Sequence, residues 1–312
     1  MKSKDRELGH PEGVDTVAGD EVTTMFKRAA RKQQSQWRNM RRYPAGTQPV
    51  RPKDGETGRS LGSRIEIEYA YRTGANFITE AARNAADERV RNKEPHQTLN
   101  VDRLYGDLLS SMPMCFNLFG LLHADLELAD RAVHTWWSDT PGKVTAVRFE
   151  WSPGRSIEGS YLGNRSAFDV AFELDLGGGR SGVIGVETKY HEHCKAEQKP
   201  GDKRLPRYRA VTEASGVFRS GAIDEIIGTK LQQIWLDHLL ALSMPQTDAD
   251  RWTWVRFVLV HPARNPSFAG ATQEYRRLLA NDATFVVNTI ESLLNTGVFP
   301  AAFVSKFRER YI

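Results

Sequence analysis

The run Ser166-Ala167-Phe168-Asp169-Val170-Ala171-Phe172-Glu173-Leu174, the turn Gly177-Gly178-Gly179-Arg180 and the return Ser181-Gly182-Val183-Ile184-Gly185-Val186-Glu187-Thr188-Lys189-Tyr190 read as two β-strands joined by a hairpin. Apolar and β-branched residues fill both arms, and consecutive glycines supply the turn. Side chains alternate between faces along a strand, so Glu187 and Lys189 share one face while Val186 and Thr188 share the other. Asp169 needs only the matching register to meet them. Charged groups inside apolar strands are costly unless paired or bound to an ion. Two carboxylates on adjoining strands can hold a hard divalent cation such as Mg²⁺ through oxygen ligands. A lysine beside them can orient or deprotonate an attacking water, or offset charge on a phosphate. Asp169, Glu187 and Lys189 are therefore the expected catalytic residues, with Asp169 and Glu187 as the metal ligands.

Working outward, residues 144–151 alternate as a strand before the hairpin. Helical periodicity runs ahead of it over 75–91, 101–111, 113–122 and 126–137. Downstream, residues 195–220 are charged and carry Pro200, Gly201 and Pro206, which predicts a loop or lid. Residues 222–242 predict one long amphipathic helix, with Ile226, Ile227, Leu231, Ile234, Trp235 and Leu239 on its apolar face. Residues 252–260 predict a fourth strand and 283–294 a closing helix. The expected fold is α/β: a mixed four-stranded sheet in the order α-β-β-β-α-β, flanked by helices, with an N-terminal helical and irregular extension.

The chain has 312 residues and a formal net charge of only +4, unevenly spread. Residues 1–60 carry 13 Lys/Arg against 8 Asp/Glu, which is +5, so the remainder sums to about −1. Rich in Gly and Pro, they predict a basic, largely irregular N-terminal segment that holds one helix near 21–40, followed by a domain over 61–312. Residues 27–42 hold seven basic side chains and no acid, a pattern that suits a polyanionic partner as well as a solvated face. Cys115 and Cys194 are the only cysteines, which excludes a disulfide framework and fits a reducing cytoplasm. No apolar run is long enough to span a bilayer, and no secretory leader is expected from the charged opening residues.

The strand–hairpin–strand unit, with the helix–strand order after it, resembles the PD-(D/E)XK nuclease superfamily over about residues 104–262. Asp169 matches the first motif acid, and Glu187 with Lys189 matches the (D/E)XK part. Phe168 stands where the superfamily often has proline. Leu108-Leu109-Ser110-Ser111, Cys115-Phe116-Asn117-Leu118-Phe119, Ser166-Ala167-Phe168-Asp169 and Val186-Glu187-Thr188-Lys189-Tyr190 together are similar to a bacterial restriction-endonuclease family within it. The resemblance implies Mg²⁺-dependent cleavage of DNA, with Mn²⁺ as a substitute ion, in a setting of restriction or phage defence. It carries no recognition sequence, and it leaves a homodimer open as the assembly.

The superfamily often adds an acid from the first core helix, for which Glu127 and Glu80 are the candidates; Glu150 and Glu158 are further acids near the first strand. Gln232 occupies the polar place on the helix after Glu-x-Lys, with Gln233 and Lys230 beside it. Lys199, Lys203, Arg204 and Arg207 form a second basic run suited to phosphate contacts. His191, His193 and Cys194 lack the second cluster that a zinc site needs. Three glycines without a following Lys-Ser/Thr are a turn and not a phosphate loop. Two other readings stay open: a nucleic-acid-binding module without catalysis, and a metal hydrolase directed at RNA or a nucleotide.

Overall fold

The computed structural model describes residues 24–48, 58, 60–155 and 160–312. Glu158 lies outside them, as do the first residues of the N-terminal segment. In chain order the elements are α1 (Met25–Met40), β1 (Ala45–Thr47), β2 (Ser60–Ile65), α2 (Ile67–Thr73), α3 (Glu80–Arg91), α4 (Val101–Gly106), α5 (Ser111–Ala124) and α6 (Leu126–Trp136). The central part follows: β3 (Lys143–Trp151), β4 (Phe168–Asp175), β5 (Ser181–Thr188), α7 (Leu205–Ser215), α8 (Ala222–Ile226), α9 (Gln232–Thr247) and β6 (Trp252–His261). The chain closes with α10 (Pro266–Arg277), β7 (Phe285–Thr289), α11 (Ile290–Leu294) and α12 (Ala301–Tyr311).

The main sheet has the order β3-β4-β5-β6-β7, antiparallel from β3 to β5 and parallel from β5 to β7. It is mixed, as expected, but it has five strands and not four. The added strand comes from residues expected to be helical. Phe285, Val286 and Val287 are aromatic and β-branched, and they pair with Phe257, Val258 and Leu259 of β6. That pairing overrides the weak helical pattern, which survives only as α11.

Three other expectations change in detail. The long helix over 222–242 is two helices, because Gly228 takes φ +77 and breaks it between α8 and α9. The loop over 195–220 contains α7, with Pro206 in its first turn, where a missing N–H costs nothing. The helix predicted over 75–91 starts later, capped by the Thr79 hydroxyl on the Ala82 N–H.

Apolar side chains on each face of the sheet build a separate core. Val170, Phe172, Ile184 and Val186 pack with α5, α6 and the chain ends. Ala171, Val183, Phe257 and Leu259 pack with α7, α9 and α10. The basic helix α1 belongs to the first core through Ala30 and Trp37. Gln34 fixes it further by donating to the Tyr190 hydroxyl at 2.9 Å and the Arg310 carbonyl at 2.8 Å.

Candidate functional site

Sheet register brings three acids together. Val170 pairs with Phe149 on one side and with Val186 on the other. One residue further in that register, Glu150, Asp169 and Glu187 stand side by side on β3, β4 and β5. Gly185 shapes the floor: a Cβ there would meet the Phe168 ring at 2.2 Å, so only glycine lets Phe168 lie across β5 at the start of β4.

Each member of the expected trio has a defined partner. Asp169 Oδ2 accepts from the Thr188 N–H at 2.8 Å and from the Thr188 hydroxyl at 2.7 Å. Lys189 Nζ donates to Glu187 Oε1 at 2.6 Å, with both side chains only about an eighth exposed (12% and 13%). Burial raises the Asp169 carboxyl above its ordinary range, against the opposing pull of Thr188 and Lys189. Burial and then the Asp169 charge push Glu187 well up. Burial alone would lower Lys189, but Glu187, Asp237 and Glu192 outweigh it and keep the ammonium protonated.

Two further acids complete the centre. Glu150 adopts φ +49, a left-handed backbone that non-glycine residues seldom take. This turns Phe149 onto Phe116, with centroids 4.2 Å apart, and Trp151 to the other core beside Phe168. Burial and the Asp169 charge push Glu150 up to about 8. Asp237 reaches the centre from α9, and burial pushes it up to about 7, with Asp169 and Glu197 adding to the rise against Lys189. Asp237 escaped the sequence reading because no motif contains it. Its one signal was a charge among Ile234, Trp235, Leu239 and Leu240 on a buried helix.

Lys189, alone of the trio, lines a cleft of about 110 Å³, together with Glu192, Lys195, Lys230, Gln233 and Asp237. A larger cleft of about 480 Å³ lies away from it, over α3 and the β3 edge, and holds none of the trio. Glu192 anchors the wall of the centre, accepting from the Ser111 hydroxyl at 2.8 Å and the Tyr190 N–H at 2.7 Å.

The remaining candidates sit elsewhere. Gln232 is buried and braces the chain: its Oε1 accepts from the Gly228 N–H at 2.8 Å and its Nε2 donates to the Gln198 carbonyl at 2.7 Å. The residue of that pair that lines the cleft is Gln233. Glu80 and Glu127 are exposed in the first turns of α3 and α6, helices that pack on the opposite core. Lys199, Lys203 and Arg204 are exposed, whereas Arg207 is tied to the Tyr161 carbonyl at 2.6 Å. His193 is exposed, and the Cys194 N–H donates to Ser267.

Among the described residues no three His, Cys, Asp or Glu side chains form a ready cage for an ion. Two neighbouring carboxylates still fit a hard cation. Burial first, and neighbouring acids after it, raise their proton affinity, and Mg²⁺ commonly uses only one or two protein carboxylates, with water and phosphate oxygens filling the rest.

The mixed sheet thus carries an acid on β4, an acid on β5 and a lysine just after β5. A family model described as PD-(D/E)XK nuclease superfamily matches residues 19–312, and the chain belongs to that superfamily. No curated protein and no solved structure matches the chain. Membership implies a nucleic-acid substrate, and among the described residues no helix is long and apolar enough to cross a membrane.

Proposed function

We propose that this nuclease hydrolyses phosphodiester bonds of DNA, as an endonuclease, with one divalent cation held by Asp169 and Glu187. The observation that carries this reading is the enclosed pair of carboxylates on β4 and β5, with Lys189 donating to Glu187 at 2.6 Å. A bound Mg²⁺ or Mn²⁺ supplies charge neutralisation and a more acidic water. Asp169 and Glu187 bind and orient; Thr188 fixes the Asp169 carboxylate through both of its donors. Lys189 stays protonated, so it hydrogen-bonds and neutralises the phosphate and does not take the proton of the water. One P–O bond forms with the water oxygen and one ester P–O bond breaks; the attacking water gives its proton to solvent, and the departing oxygen takes one from solvent and leaves as a hydroxyl. Exposed Lys195, Lys199, Lys203 and Arg204 lie along the segment that leads from the centre into α7, and they suit backbone phosphates without reading bases. A cytoplasmic setting belongs to the same reading, supported by two free cysteines; a role in restriction or phage defence rests on the family resemblance alone.

The test incubates purified protein with supercoiled plasmid, single-stranded DNA and RNA, each with Mg²⁺ and with chelator. Nicking or linearisation of plasmid only with Mg²⁺ is expected, and its loss in Asp169→Ala. Metal-independent binding without cleavage, or cleavage confined to RNA, would refute the proposal.

A further inference from the structure

Asp237 faces the catalytic lysine across the cleft, and the mechanism above gives it no task. It is a half-buried carboxylate on a helix that also carries buried Ile234, Trp235, Leu240 and Ala241, a placement that costs stability unless the charge is used. Its oxygens receive no hydrogen bond and no close ion pair among the described residues, while Lys189 lines the same cleft.

Lys189 has a conflict to resolve. Its ammonium engages Glu187 Oε1, on the carboxylate that the proposed cation would share. Two cations on one carboxylate repel each other, so the ammonium requires a second carboxylate to go to. The charges acting on it come from Glu187, then Asp237, then Glu192. Glu192 is already engaged by Ser111 and Tyr190, with Arg103 at 3.8 Å. Asp237 is the one of the three left without a donor.

We propose that Asp237 is the positioning residue for Lys189: it receives the ammonium when Glu187 turns to a divalent cation, and holds it toward the substrate phosphate in the cleft. This rests on the reading of Asp169 and Glu187 as metal ligands. No proton moves in the exchange; one ammonium changes its hydrogen-bond acceptor.

The experiment is calorimetric titration of Mn²⁺ into substrate-free protein, alongside plasmid cleavage. Asp237→Asn should weaken Mn²⁺ binding by roughly tenfold, a coupling typical of residues in contact, because Lys189 then stays on Glu187. It should lower kcat with little change in KM, and Asp237→Glu should restore part of both losses. In a Lys189→Met background Asp237→Asn should change Mn²⁺ affinity no further. Wild-type affinity in Asp237→Asn, or an undiminished loss in the Lys189→Met background, would overturn the assignment while leaving the metal reading intact. If Asp169→Asn binds Mn²⁺ as tightly as the wild type, the metal reading falls and this assignment with it.

Discussion

Arg310 and Lys189 are both enclosed cations, and their surroundings differ in kind. Arg310 is fully buried beneath α1, lies 4.5 Å over the Trp37 ring, and gives its donors to the Asn76 carbonyl, the Asn76 side chain and Gln34. Every one of those partners is neutral, and burial lowers the guanidinium pKa. Around Lys189 the balance is reversed: Glu187, Asp237 and Glu192 act on one ammonium, with Asp169 and Glu150 beside them. The first arrangement satisfies a charge locally and ties the two ends of the chain together. The second gathers more acidic groups than its one ammonium can pair, and burial holds protons on several of them until a cation arrives. Surplus of that kind points to a site, and local satisfaction points to a joint.

The sharpest break between the two is mutational. Glu187→Gln or Asp169→Asn should cut the rate of Mg²⁺-dependent plasmid cleavage by at least about 10²–10³-fold, with the melting temperature unchanged or higher. Arg310→Met should do the opposite. Orphaning the buried polar groups of Asn76 and Gln34 costs about 1–3 kcal/mol each and should lower the melting temperature by on the order of 10 °C, while cleavage per folded molecule holds within a few-fold. Equal damage to rate by both would remove the distinction.

A pH titration of metal-free protein sharpens it. Burial lifts Asp237 from 3.8 to about 7 and Glu150 from 4.5 to about 8, so the folded chain holds protons that the unfolded chain has released. Their contribution is fully present below about pH 4 and is lost as pH rises toward about 8. Below about pH 6.5 the buried neutral His238, held down to about 3, acts in the opposite sense; from about pH 6.5 to 8 the melting temperature should therefore fall by a few degrees, and Asp237→Asn or Glu150→Gln should flatten that fall. Smaller still, Gln232→Ala should cost about 1–3 kcal/mol by orphaning buried backbone groups, visible in melts more than in kcat. Glu80→Ala and Glu127→Ala should change stability by no more than about 0.5 kcal/mol and leave plasmid cleavage as it is.

What could be read ahead of the structure follows physical range. The hairpin, its turn and the alternation that sets Glu187 and Lys189 on one face are local, and β4 and β5 form where the pattern puts them. β7 was hidden because Phe285-Val286-Val287 is a short apolar run, ambiguous between helix and strand until β6 offers a partner. The break at Gly228 was masked by the apolar periodicity on either side of it. Asp237 was out of reach for a different reason: only the packing of α9 on β5 and β6 carries it to Lys189. Glu150 was visible as an acid near the first strand, but its place beside Asp169 depends on the β3–β4 register. Gln232 and Gln233 are indistinguishable in the sequence, because helical phase cannot be fixed to one residue when the helix starts at Gln232 and not at Ala222.

The most direct measurement is calorimetric titration of Mn²⁺ into wild-type protein and into Asp169→Asn and Glu187→Gln. One ion per chain in the wild type, with binding abolished or weakened at least about tenfold in each variant, is the predicted result. Unchanged affinity in both variants would contradict a cation shared by those two carboxylates.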